Sequence, residues 1–228
     1  MNDLITSKTL PLWAAARSIY GCGVECLSAK NSQSLVPRIL PSGEFSFGTS
    51  LIFSPKSFVK VIEGGFALPK IRYFLTAPTG TFRSVINLAR VGKAYRSASQ
   101  IKEIHGMLNG SLEAICCYLN HHLVAKKAFD DESSRTLTFE IKGMQRKWLI
   151  KMDGSNGWQV GACSSLDRAS ACLAFNDIEV AKNAALGALD SWLSLTNAEI
   201  ILSGRIPLLD KFGYVSRIAQ NEVPRPGR

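Results

Sequence analysis

The spacing of apolar residues changes along the chain, and the change divides it. Up to about residue 129 the three-four rhythm of helices dominates. From residue 135 a period of two takes over, and helices return after residue 176. Residues 1–40 read as loosely helical, punctuated by Pro11, Gly21, Gly23, Pro37 and Pro41. Residues 44–53 alternate, with Phe45, Phe47, Leu51 and Phe53 on one side of an extended chain that Gly48 bends. Ser54-Pro55 predicts a helix start, since proline suits a first turn, and Gly64-Gly65 predicts its end. Phe58, Val59 and Ile62 form its apolar face. Residues 66–75 are a short apolar segment broken at Pro69.

Residues 81–98 predict a basic amphipathic helix. Phe82, Val85, Ile86 and Ala89 fall at helical spacing. Arg83, Asn87, Arg90 and Ala94 fall roughly opposite, with Lys93 and Arg96 near them. Such a helix can lie on an anionic bilayer surface, with Arg83, Arg90, Lys93 and Arg96 as its contacts. The alternative is a surface helix packed on the protein's own core. Residues 100–129 are helical again through Ile101, Ile104, Leu108, Leu112, Ile115 and Leu119. Asn109-Gly110-Ser111 predicts an interruption, with Ser111 capping the second piece.

Residues 135–142 alternate, with Leu137, Phe139 and Ile141 on one face. Residues 146–152 alternate after a turn at Gly143, with Trp148, Ile150 and Met152 inward. A turn at residues 153–157 leads to a third strand carrying Trp158, Val160 and Ala162. This predicts an antiparallel meander with a second, polar face that is either solvated or partly covered. Residues 169–175 are a fourth strand. Asn176-Asp177 caps a helix over 177–186, with Glu179 in a capping-box arrangement, and Gly187 ends it. A short helix over 188–195 carries Leu189, Trp192 and Leu193. Residues 198–203 are a fifth strand, Gly204 turns, and the last helix presents Leu208, Phe212, Val215 and Ala219 on one side.

The order from about Ser111 is helix, three-strand meander, strand, two helices, strand, helix. With Trp148 and Asp153 in the middle strand and its turn, Asn176-Asp177 after an alternating strand, and the strand that ends at Gly204, this half of the chain resembles the sterol carrier protein type-2 domain. Asn197 stands where that family has an early glycine. The resemblance implies an α+β fold: a five-stranded mixed sheet covered on one side by helices around an apolar cavity, here behind a largely helical N-terminal extension. It implies cavity walls from Phe139, Ile141, Trp148, Ile150, Trp158, Val160, Leu173, Phe175, Trp192, Ile200, Leu202, Phe212 and Val215. Ala181, Ala184 and Ala185 would leave space beside them. The same residues would also fill an ordinary core.

The domains expected are a basic, mainly helical region over 1–100, a sterol-carrier-like domain over 101–220 and a disordered tail over 221–228. One reading of the first region is a degenerate second copy, since residues 50–71 follow the order of 171–193, with Phe53 matching Phe175 and Gly65 matching Gly187. The other is an unrelated extension.

Composition narrows the function. The chain has 228 residues, 46% hydrophobic and 20% charged, enough for a sizeable core. Its net charge of +9 is uneven: residues 1–100 hold 6 Lys and 6 Arg against 4 acids. That half either meets something anionic, a membrane surface or nucleic acid, or presents a solvated basic face. It carries no aromatic nucleic-acid motif, so nucleic acid is not an expected partner. The apolar run 10–24 is broken by Arg17 and no spanning helix is expected. The expected location is cytoplasmic, with peripheral contact to a membrane through the basic helix. Six cysteines without a C-x-x-C pair read as free thiols.

Residues 171–212 hold no nucleophile, metal cluster or phosphate loop. Cys117 and His121 stand four apart on a helix, without two further ligands to close a metal site. Asp130-Asp131-Glu132 reads as a solvated loop. No metal, cofactor or catalytic residue is therefore expected. The function expected is non-enzymatic binding of a hydrophobic ligand, a sterol, fatty acyl or isoprenoid lipid, for transport or presentation. One alternative is an accessory protein of lipid or isoprenoid-quinone biosynthesis, partnered with those enzymes. Another is an enzyme whose catalytic groups lie in the N-terminal half.

Overall fold

The computed structural model describes residues 4–48, 51–65, 67–70, 78–163 and 169–224. The chain forms two compact units, one reaching to Gly110 and taking in Glu222, the other spanning Ser111–Asn221. Among the described residues no helix is long and apolar enough to cross a membrane.

In the first unit, Pro11 stands in the opening turn of α1 (Leu10–Cys26), where a helix has no use for its missing N–H. α1 buries Trp13, Ala14, Ala15, Ala16, Ile19 and Cys22. α2 (Ala29–Ser32) and a 3-10 turn (Gln33–Leu35) lead into three antiparallel strands in chain order, β1 (Pro37–Ile39), β2 (Phe45–Phe47) and β3 (Leu51–Phe53). The single extended stretch expected over 44–53 is a hairpin, and Gly48 serves it with a left-handed φ of 58°. Phe45 pairs with Phe53 and Phe47 with Leu51, so the alternation in sequence becomes one buried face. Ser54 Oγ accepts the Ser57 N–H at 3.2 Å and starts α3 (Pro55–Ile62). Phe58 of α3 closes the aromatic core, its ring 5.2 Å from that of Phe45 and 5.4 Å from that of Phe47. The strand, cap and helix order recurs later in the chain. Here, however, β3 is the edge of a three-stranded antiparallel sheet. Part of the segment 66–75 and the tail 225–228 lie outside the described residues.

α4 (Pro78–Ser97) and α5 (Ile101–His121) follow. The interruption expected at Asn109-Gly110-Ser111 does not occur, because these residues serve contacts instead. Asn109 Nδ2 donates to the Gly21 carbonyl at 2.8 Å from a buried position. A Cβ on Gly110 would lie 2.5 Å from the Ser18 carbonyl oxygen, and one on Gly106 would lie 2.9 Å from that of Cys22. Ser111 Oγ donates to the Ala185 carbonyl at 3.0 Å. The helix ends at His122, whose Nδ1 accepts the Ala125 N–H at 3.3 Å and starts α6 (Leu123–Ala128).

The second unit holds a five-stranded mixed sheet in the order β6-β5-β4-β7-β8. Its strands are β4 (Thr136–Ile141), β5 (Lys147–Met152), β6 (Trp158–Ala162), β7 (Ala171–Phe175) and β8 (Ile200–Gly204). β4 and β7 run parallel; the other neighbours are antiparallel. Asp177 Oδ1 accepts the Val180 N–H at 2.9 Å and caps α7 (Ile178–Leu186), which Gly187 ends at φ 63°. Glu179 bonds Lys182 at 3.1 Å rather than completing a capping box. α8 (Ser191–Thr196) is capped by Asp190, and α9 (Ile206–Glu222) closes the unit.

The Gly110→Ala substitution separates the two uses of that glycine. If Gly110 exists for close approach to Ser18, alanine costs about 2 kcal/mol and lowers the melting temperature. Were the helix only weakened there, alanine would stabilise it by about 1 kcal/mol. Thermal unfolding of the variant decides the sign.

Candidate functional site

Directly paired strand residues point to the same face of a sheet. On β4 that rule groups Leu137, Phe139 and Ile141. Across β5, Phe139 pairs with Trp148 and Leu137 with Ile150. Across β6, Ile150 pairs with Val160 and Met152 with Trp158. On the other side, Phe139 pairs with Leu173 and Ile141 with Phe175, and these pair in turn with Leu202 and Ile200. The register thus gathers every strand residue expected in the wall onto one face.

α9 lies over that face. Its buried stripe is Leu208, Phe212, Val215 and Ala219, as its spacing predicts. The Phe212 ring stands 4.9 Å from Phe139. Phe129 meets Trp158 edge-on at 5.4 Å. Asn120, at the end of α5, takes the Trp158 N–H on Oδ1 at 2.7 Å and donates Nδ2 to its carbonyl at 2.9 Å.

Burial across the face is graded. Phe139, Ile141, Trp148, Ile150, Trp158, Phe175, Ile200, Phe212 and Val215 are buried. Val160 on one edge strand, and the pair Leu173 and Leu202 on β7 and β8, remain partly exposed. Trp192 does not join them: it is 82% exposed. The reason is local. The inward side of α8 centres on Ser194, whose hydroxyl donates to Glu199 at 2.7 Å, and Trp192 points elsewhere. The opposite face of the sheet is partly covered, with Thr138, Leu149 and Ala174 buried and Glu140 paired to Lys147.

The start of α9 is held at two points. Gly204 has φ 81°, and a Cβ on it would lie 2.6 Å from the Ser170 carbonyl oxygen. That oxygen accepts the Arg205 N–H at 2.9 Å. Glu132 supplies the second hold. Its carboxylate is 0% exposed, and Oε1 accepts from Arg205 Nη2 at 3.1 Å and from Lys211 Nζ at 2.9 Å. Lys211 also donates to Asp131 Oδ1 at 2.7 Å. Glu132 therefore corrects the reading of residues 130–132 as a solvated loop. No local signal marks it, because its partners lie 73 and 79 residues away.

Burial pushes the Glu132 carboxyl up, and the hydrogen bonds from Lys211 and Arg205 outweigh it, leaving the group below its ordinary value. The bonds to Asp131 and Glu132 hold Lys211 above the usual lysine value.

Among the described residues no three His, Cys, Asp or Glu side chains gather as a metal site. Cys117 is buried, and burial lowers the His121 imidazole below its usual value.

Arg83, Arg90, Lys93 and Arg96 are all exposed on α4. Over the first turns of α4 the side turned inward is polar, with Thr81, Ser84 and Asn87 buried while Phe82, Val85 and Ile86 are exposed; further along, Val91 and Ala94 are buried.

No family model matches the chain, and no curated protein matches it. Solved structures similar to part of it include a UbiJ-SCP2 ubiquinone synthesis protein, with TM-score 0.37 and 16% identity over 49% of this chain and 89% of that one. Another is the apo form of Sterol Carrier Protein 2 from Yarrowia lipolytica, with TM-score 0.35 and 17% identity over 50% of this chain and 90% of that one.

Glu132 makes stability depend on acid. A carboxyl held low in the fold stabilises it above the ordinary carboxylate pKa of about 4.3, and that contribution is lost as pH falls below this value. Glu132→Gln should cost about 2 kcal/mol at neutral pH and flatten the fall of melting temperature between about pH 5 and pH 3. An unchanged acid limb in the variant would remove Glu132 as its source.

Proposed function

We propose that the second unit binds a hydrophobic small molecule, a lipid, between the apolar sheet face and α9, without covalent chemistry. One observation carries the reading: the apolar face is continuous across all five strands, yet its outer row at Leu173 and Leu202 is only partly covered. A sealed core would bury these leucines as it buries Phe139 and Trp148 beside them. An acyl or isoprenoid chain laid on Leu173 and Leu202 removes that apolar surface from water, contributing about 25 cal/mol per Å² before ordering costs. Phe139, Ile141, Trp148, Ile150, Trp158, Phe175 and Ile200 form the packed floor, and Val160, Leu173 and Leu202 its open margin. Phe212 and Val215 close it from the helix side. The sequence resemblance to sterol carrier domains points to the same class of ligand.

The first test is an organic extract of the protein purified from cells, read by mass spectrometry. A lipid recovered in stoichiometric amount supports the reading, and its headgroup or ring names the class. An empty extract together with no uptake of a fluorescent fatty acid or sterol sinks it. The Leu173→Trp variant fills the open margin. It should lower uptake about tenfold, the loss of roughly 1.4 kcal/mol of binding, while its melting temperature stays near that of the wild type. Undiminished uptake would move the ligand away from β7 and β8.

A further inference from the structure

The first unit carries an arrangement that ligand binding in the second does not use. Helices of soluble domains turn their apolar stripe inward. α4 does the reverse over its first turns. There its inward residues are polar: Ser84 Oγ donates to the Ser34 carbonyl at 3.1 Å, and Asn87 Nδ2 donates to the Asn31 carbonyl at 3.2 Å and to Ser34 Oγ at 3.0 Å. The apolar residues of the same turns face out, with Phe82 61%, Val85 41% and Ile86 38% exposed, and only further along do Val91 and Ala94 take the inward side.

The exposed residues also have an order along the helix. At 3.6 residues per turn, Phe82, Val85, Ile86, Ala89, Arg90, Lys93 and Arg96 share one arc of about 140°. The arc is apolar over its first turns and basic over its last. α4 contains no acidic residue. This differs from the arrangement expected from sequence, in which the basic residues oppose the apolar ones. Beside the apolar part lies a cleft of about 550 Å³, lined by Phe82, Arg83, Ile86, Asn87 and Arg90 with Asn31 at its side. Two guanidinium groups therefore flank an apolar hollow.

We propose that α4 docks the protein obliquely on an anionic bilayer. Phe82, Val85 and Ile86 enter the boundary between headgroups and acyl chains. Arg90, Lys93 and Arg96 stay among the lipid phosphates. Charge selects this occupant. An unbroken set of cations beside exposed apolar surface matches a layer whose phosphates lie just above its hydrocarbon. Long basic side chains can reach those phosphates while the helix end sinks. A neutral apolar partner would offer these cations no counter-charge. The proposal stands on the first unit alone and is independent of the ligand proposed for the second.

The test is flotation of the full chain with vesicles of phosphatidylcholine, and with vesicles that also contain phosphatidylglycerol. The wild type should float with the second and not the first, and added salt should release it. Phe82→Ser with Ile86→Ser, and Arg90→Glu with Lys93→Glu, should each lower flotation about tenfold. All four residues are exposed, so the fold tolerates both changes. The obliquity has its own readout. Indole emission from Phe82→Trp, above the native tryptophans, should be quenched by lipids brominated on their acyl chains, and that from Arg96→Trp should not. Equal flotation with neutral vesicles, or unchanged flotation of both double variants, overturns the proposal. So does a self-associated chain that Phe82→Ser with Ile86→Ser turns to monomer, which would assign the ridge to a second copy.

Discussion

The parallel pairing of β4 with β7 sets Phe139 opposite Leu173 and Ile141 opposite Phe175, and the second unit's apolar face depends on it. The meander β4-β5-β6 could form by local hairpins alone. The pair β7-β8 could not, because α7 and α8 separate its strands. Only where β4 meets β7 do the two apolar rows merge into one surface wide enough for α9 to cover. A slip of one residue would turn Leu173 and Phe175 outward and bring Cys172 and Ala174 in their place. Glu132 and Gly204 act next to this junction. Glu132 precedes β4 and holds Arg205 and Lys211, while Gly204 lets the chain leave β8 close against Ser170. The covering helix is thus fixed at its start, and its apolar stripe is laid on the sheet from that end.

A buried carboxylate is costly unless its charge is met. Here two cations from the covering helix and its entry meet it, which makes the ionic cluster specific to one position of α9. Phe212 then falls on Phe139. Phe139 is sealed under Phe212, and Phe175 and Ile200 are buried, while Leu173 and Leu202 keep part of their surface.

Much of this was legible in the chain. Period two named the strands, and the 208, 212, 215, 219 spacing named the buried side of α9. Asp177 announced a helix start through its own side chain, a local effect that needs no tertiary knowledge. Most of the failures share a cause, a partner far away in sequence; Trp192 is the local exception. Gly110 has the composition of a helix breaker, and only the approach of Ser18 shows it to be a spacer. Glu132 has the surroundings of a loop, and only Arg205 and Lys211 bring it inside. Trp192 has the size of a wall residue, but the bond from Ser194 to Glu199 turns its helix the other way. For α4 the amphipathic pattern was plain, while the side turned inward depended on Ser34 and Asn31, which no periodicity reports.

The central claim is that a hydrophobic ligand lies on the β7-β8 margin of the sheet. Methyl NMR of leucine-labelled protein during titration with a long-chain fatty acid tests it most directly. The account predicts that the Leu173 and Leu202 methyl signals move to saturation, while Leu149 on the opposite face and Leu35 in the first unit stay in place. Saturating fatty acid that leaves Leu173 and Leu202 unmoved, or that moves only Leu149 or Leu35, would contradict it.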